Sequence, residues 1–167
     1  MKHTLFSLIL LAFGWAGFIE PTDFPTAKIT NGLIEAELYL PDAQRGYYQG
    51  TRFDWSGVMP RLTYKGHSYF GIWNPAPYDP KLHDAIAGPV EEFVAVGVNE
   101  AEIGGEFLKI GVGTLIKPDT KPYSFLTRYQ IKNAGKWTVK TFKDRVVFTH
   151  ELTDAAGYGY VYIKTVR

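Results

Sequence analysis

From Phe107 onward the chain alternates short strand-forming runs with clusters of turn residues, and that punctuation constrains the fold more than any other feature. The runs are Phe107–Ile116, Tyr123–Lys132, Lys136–Phe142, Arg145–Leu152 and Tyr158–Val166. Between them stand Pro118 and Pro122, Asn133-Ala134-Gly135, Lys143-Asp144, and Asp154-Ala155-Ala156-Gly157. Gly and Asn supply the left-handed backbone of tight turns, and proline fixes φ and lacks a ladder donor. No long helical period and no internal repeat appears. The spacing predicts an all-β chain, an antiparallel sandwich or barrel.

The first half carries the same signals. Lys28-Ile29-Thr30 meets Asn31-Gly32, a hairpin signal, and apolar residues then alternate at Ile34, Ala36, Leu38 and Leu40. Leu62-Thr63-Tyr64, the Lys65-Gly66 turn and Ser68 to Trp73 predict a second hairpin. Asn74 to Pro80 is a proline-restrained loop, and Lys81 to Ala87 suits one or two helical turns before Gly88-Pro89. Glu92 to Val98 is apolar on both faces and reads as an inner strand. Gly111-Val112-Gly113, inside a predicted strand, reads as a bulge or a close backbone approach.

Residues 1–20 have the order of a signal peptide: Lys2 and His3, then apolar Leu5 to Phe13, then small residues at Gly14, Ala16 and Gly17. Residues 21–27 read as a linker and 28–167 as the β domain. A secreted or periplasmic protein follows, with no membrane attachment once the signal is cleaved. The chain has no cysteine, so disulfides and thiolate metal sites are excluded. Net charge is +1, so no global field points to nucleic acid. Charge is nevertheless segregated: Lys117 to Arg145 holds eight basic and two acidic residues, Asp84 to Glu106 six acidic and no basic ones. The two segments either pair or lie on different faces, or the basic one gathers an anion site. His83, Asp84, Glu91 and Glu92 lack an established ligand spacing, so no metal is assigned, and no phosphate-cradling loop or other cofactor motif is present.

The richest stretch is Tyr47-Tyr48-Gln49-Gly50-Thr51-Arg52-Phe53-Asp54-Trp55-Ser56-Gly57, which sets one arginine and one aspartate among four rings. That mixture suits a polyhydroxylated ligand, with rings for C–H faces, Arg52 as a donor fork and Asp54 as an acceptor. An extended Tyr47 to Trp55 would put Arg52 and Asp54 on one face and Thr51, Phe53 and Trp55 on the other. An aromatic strand in a sheet core with a surface Arg–Asp pair accounts for the same residues. Among the histidines, His67 follows a turn, His150 lies in a strand run and reads as partly buried, and His83 sits in a loop, where function concentrates.

Tyr47 to Gly57, His83-Asp84, Gly88-Pro89-Val90-Glu91-Glu92-Phe93, Phe107 to Gly113 and Gly157-Tyr158-Gly159-Tyr160 together resemble the N-terminal half of the galactose mutarotase-like, aldose 1-epimerase-related family. The resemblance implies an antiparallel β-sandwich, part of a larger supersandwich, with a small carbohydrate in a cleft on one sheet. It implies interconversion of sugar anomers by a general acid and a general base. It makes Arg52 and His83 sugar-binding residues, with Asp54 and Trp55 beside them. The family's acid histidine and base glutamate come from a second half, members being about twice this length. The chain is therefore expected to be incomplete at its C-terminus, and no catalytic residue is assigned. The alternative is a non-catalytic, carbohydrate-binding secreted β-sandwich. A blander option makes the aromatics core alone.

Overall fold

The computed structural model describes residues 24–72, 79–83, 87–155 and 157–167. The expected signal segment, Trp73, most of the proline loop and Asp84 lie outside them. Among the described residues the chain is all-β with no helix, and ten strands form three antiparallel sheets.

The first sheet runs in the order β1-β2-β3-β4. β1 (Thr26–Thr30) begins two residues ahead of the expected domain boundary and pairs with β2 (Ile34–Tyr39) from Thr26↔Tyr39 to Thr30↔Glu35. Asn31 closes the loop, its Oδ1 accepting from the amides of Leu33 at 3.0 Å and Ile34 at 2.9 Å. β3 (Arg61–Tyr64) adds to β2 and carries the cross-strand Arg61–Glu37 pair at 2.8 Å. Lys65 and Gly66 turn the chain into β4 (His67–Ser68) with φ of 48° and 78°, both positive as a tight hairpin turn requires. The strand of the predicted run ends at Ser68, although the Tyr69 amide still donates to the Leu62 carbonyl at 2.8 Å, and Trp73 lies outside the described residues.

The second sheet is β5 (Glu106–Lys109), β6 (Gly113–Ile116) and β7 (Gln130–Asn133). The single strand expected over 107–116 is folded in two at Ile110 to Val112, closed by the Val112 amide on the Lys109 carbonyl at 3.1 Å. Gly111 sits there at φ 76°, and a Cβ on it would lie 2.3 Å from Cβ of Asp54. The close-approach reading of this glycine is therefore correct, and the continuous-strand reading is not. Of the run 123–132 only its end is strand. The third sheet, ordered β10-β9-β8, comprises β8 (Lys136–Thr141), β9 (Val146–Ala155) and β10 (Tyr158–Val166), close to the sequence-based boundaries.

Alternation along β9 buries Val146, Phe148, His150 and Leu152 on one face. Val146 and Phe148 pack against Ala27, Ile29, Ala36 and Leu38 of the first sheet. Leu152 packs on Leu108 of the second. A separate cluster joins Tyr47, Tyr48, Trp55, Val58, Phe107, Val112 and Leu115, so the aromatic stretch is itself core.

One expectation fails here. Glu92 to Val98 is no inner strand: it makes one isolated bridge, Val96↔Leu108, and leaves Val94 83% exposed. A run apolar on both faces has no partner on its second edge once Gly97 turns away at φ 77°. Of the helical turns expected over Lys81 to Ala87, residues 84–86 lie outside the described residues, and Lys81 to His83 form turns, with the Leu82 amide on the Asp79 carbonyl at 3.1 Å.

Candidate functional site

Tyr47 to Gly57 is not an extended strand. Its amides are satisfied one at a time by different segments: Gln49 by the Pro80 carbonyl at 2.8 Å, Asp54 by Glu91 at 2.9 Å, Trp55 by Gly111 at 3.1 Å. The local cause is Asp54, whose Oδ1 accepts from the amide of Ser56 at 2.6 Å and its hydroxyl at 2.7 Å. That Asx-type turn offers the backbone an alternative to a ladder. Arg52 and Asp54 consequently do not share a face, and each meets a different carboxylate of the Gly88-to-Phe93 segment.

Arg52 faces outward. Its Nε donates to Glu92 Oε2 at 3.0 Å, and its guanidinium lies 4.5 Å from the ring centre of Phe53 and 4.0 Å from that of Phe125. His83 reaches the same Phe125 ring, centroid to centroid 5.9 Å. The structure thus brings Arg52 and His83 together and adds Glu92 and Phe125, which sequence reasoning had not assigned to the site. Behind them Lys109 is buried, its ammonium donating to the Phe93 carbonyl and lying 4.9 Å from the Tyr123 ring. Burial pushes the Lys109 ammonium below the ordinary lysine range, with Glu92 and Arg52 pulling in opposite directions.

Asp54 faces inward and is fully buried. Its Oδ2 accepts from Lys164 Nζ at 3.1 Å, from the Glu91 amide at 2.9 Å and distantly from the Tyr162 hydroxyl at 3.4 Å. Lys164 also donates to the Ser56 carbonyl at 3.0 Å and to Glu91 Oε2. Burial pushes the Asp54 carboxyl up to about 6; Glu91 adds to the rise, and Lys164 and Ser56 oppose it. For Glu91, burial also pushes upward, but bonds from Asp54, Lys164 and Tyr162 outweigh it and hold the carboxyl below its ordinary value. Physically, a proton entering this pair goes to the desolvated carboxyl.

Trp55 is buried, with its indole N–H on the Gly50 carbonyl at 2.8 Å. It lines a cleft of about 460 Å³ with Gln49, Thr51, Tyr129, Gln130 and three cationic residues, Lys81, Arg128 and Lys132. The segments that build this cleft also carry Arg52, His83 and Phe125. They are tied together by Gln49 on Pro80 and by Arg128 on Asp79 at 2.9 Å. Arg52, His83 and Phe125 do not themselves line the cleft; they meet one another on flanking positions of the same segments, and Asp54 belongs to the interior.

His150 is a satisfied core residue. Its Nε2 donates to the Ala134 carbonyl at 2.8 Å, which leaves Nδ1 to accept from the Tyr160 hydroxyl at 2.9 Å. Its ring stacks on Trp137 at 4.3 Å, and burial lowers its pKa. Among the described residues no group of three or more His, Asp and Glu side chains could hold a metal ion. In comparisons with known proteins, no family model, curated protein or solved structure matches the chain.

Proposed function

We propose that this chain is a β-sandwich protein of the aldose 1-epimerase-like kind that binds a small carbohydrate in the cleft beside Arg52. The observation that carries the reading is the meeting of Arg52 and His83 on Phe125, in the same chain segments that wall a cleft with hydroxyl, amide and aromatic groups. A sugar ring presents C–H faces that lie on aromatic surface and hydroxyls that need several directional partners. Tyr129 supplies ring surface beside the buried Trp55, Gln49, Thr51 and Gln130 supply amides and a hydroxyl, and Arg52, next to Thr51 in the chain, keeps donors beyond the Nε used by Glu92. A volume of about 460 Å³ falls in the range of small-ligand sites.

Anomer interconversion is the second reading, and it rests on Glu92 and His83. An epimerase needs one proton acceptor and one donor at the anomeric hydroxyl and the ring oxygen. Glu92 holds the Arg52 Nε and His83 meets the Phe125 ring on which Arg52 lies, whereas Asp54 is enclosed in the core.

Titration of the chain with neutral hexoses and pentoses should change Trp55 emission saturably. Arg52→Ala should weaken binding about tenfold or more, since it removes a charged donor. Absence of saturation by both fluorescence and calorimetry, across the whole panel, overturns the binding reading. Polarimetric mutarotation above the buffer rate, lost in Glu92→Gln, supports the second reading; a blank-level rate rejects it.

A further inference from the structure

We infer that the saccharide taken by this cleft carries an oxyanion, a carboxylate or a phosphate, held by Lys81, Arg128 and Lys132. The inference rests on the carbohydrate reading above and narrows its ligand class. The cleft lining holds these three cationic side chains and no acidic one. They come from separate parts of the chain, Lys81 from the loop after the prolines and the other two from the approach to β7 and from β7 itself. Arg128 and Lys132 belong to the basic segment Lys117 to Arg145, and Lys81 joins them from outside it.

Two of the three have partners outside the lining: Arg128 with Asp79 at 2.9 Å and Lys132 with Glu106 at 3.8 Å. Both pairs are largely exposed, and exposed pairs exchange a partner at little cost. Lys81 engages Asp79 through its backbone amide at 2.9 Å, and its ammonium has no ion-pair partner among the described residues.

Behind the cleft, residues that do not line it show the same excess of donors. Tyr123 stacks on Tyr129 of the cleft at 5.4 Å, and its hydroxyl is buried without a partner among the described residues. Next to that ring, the buried Lys109 ammonium gives one hydrogen bond, to the Phe93 carbonyl. Arg52 commits its Nε alone, to Glu92. Neutral hydroxyls donate as well as accept, so a lining whose charged side chains are three cations is best completed by a group that only accepts. A carboxylate or phosphate on the sugar is such a group, and it forms the stronger charge-assisted bonds.

The test is calorimetric titration of the chain with a hexuronate, a hexose phosphate, the neutral parent hexose and inorganic phosphate, each at low and at physiological salt. The expected result is that an acidic sugar binds about tenfold or more tightly than the neutral parent, with a preference that shrinks as salt rises. The stronger of the two acidic sugars names the oxyanion, and either supports the inference. In Lys81→Ala/Lys132→Ala the ratio of acidic to neutral affinity should fall about three- to tenfold. Both positions are exposed, so circular dichroism and the melting temperature should match those of the parent chain. Equal binding of acidic and neutral sugars overturns the inference and leaves the carbohydrate reading standing. Inorganic phosphate binding as tightly as the hexose phosphate, with no neutral sugar bound, overturns both in favour of a plain anion site. Binding of none of the four also overturns both.

Discussion

Lys164→Met tests the physical core of this account. Lys164 has 8% side-chain exposure and Asp54 none, and their 3.1 Å contact is closed to solvent screening. The substitution keeps most of the apolar stem and removes the ammonium. Asp54 would keep the Ser56 amide and hydroxyl, the Glu91 amide and the distant Tyr162 hydroxyl, but no cation. Breaking one side of a buried ion pair destabilises by about 3–5 kcal/mol. For a domain of this size that lowers Tm by about 10 °C or more. The loss should depend on pH. In the folded parent chain burial already raises Asp54 to about 6, above its unfolded value of 3.8. A raised carboxyl favours the folded state below the unfolded pKa, and that contribution disappears as pH rises through the folded pKa. Removing Lys164 takes away an opposing charge and raises the folded pKa further. The deficit between variant and parent should therefore be largest at neutral pH and shrink toward about pH 5, where Asp54 carries its proton and needs no cation. Urea unfolding followed by tryptophan fluorescence, at matched pH for both chains, measures it. A deficit below about 1 kcal/mol, or one independent of pH, would refute the reasoning, because either result means solvent reaches the pair.

His150 provides the opposite sign. Burial holds its folded pKa below the ordinary imidazole value of 6.5, so parent stability should fall as pH drops below that value, and a His150→Gln variant should lose this slope in the same unfolding assay. Gly111→Ala should destabilise by about 2 kcal/mol or more, read as a lower urea midpoint. Its Cβ would meet Asp54 at 2.3 Å on a backbone at φ 76°. Arg52→Lys should keep the melting temperature within a few degrees, since the pair with Glu92 is partly exposed, yet should weaken sugar binding because a lysine has no planar fork to lie between Phe53 and Phe125.

The parts of the fold legible in the sequence are those decided locally. β8, β9 and β10 announce themselves through alternation and through turn residues at Asn133 to Gly135, Lys143-Asp144 and Gly157, all within a few residues of the strands they end. Tyr47 to Gly57 was misleading because aromatic residues are equally at home in a strand and in a loop that is itself core. One local signal was available: Asp54 two residues before Ser56 is the spacing of an Asx turn, which argues against an extended chain. Lys164 was hidden for another reason. On β10 the apolar Val161 and Ile163 are exposed, at 62% and 64%, while Tyr160, Tyr162 and Lys164 take the inner face. The usual inward-apolar parity is reversed, because what Lys164 reaches is a carboxylate contributed 110 residues earlier in the chain. No window of sequence contains that pair.

The same long-range contacts explain why the site and the core respond to one another. Glu91 and Glu92 are neighbours in a segment without regular pairing, yet one is held by Lys164 inside and the other by Arg52 outside. Between them the Glu91 backbone is locked to Asp54 in both directions, amide to Oδ2 and carbonyl to amide, each at 2.9 Å. Phe93 is then fixed by Lys109 through its carbonyl and by the Tyr162 ring at 5.3 Å. Three successive residues are thus pinned by three cations whose environments range from enclosed to solvent-facing. The position of Glu92, and with it the orientation of the Arg52 fork, is set by a network that a ligand at the cleft never touches. Loss of the buried ammonium in Lys164→Met should therefore loosen Arg52 as well. Sugar affinity should fall in that variant under conditions where it remains folded, and Arg52→Ala on top of Lys164→Met should weaken binding by less than it does in the parent chain.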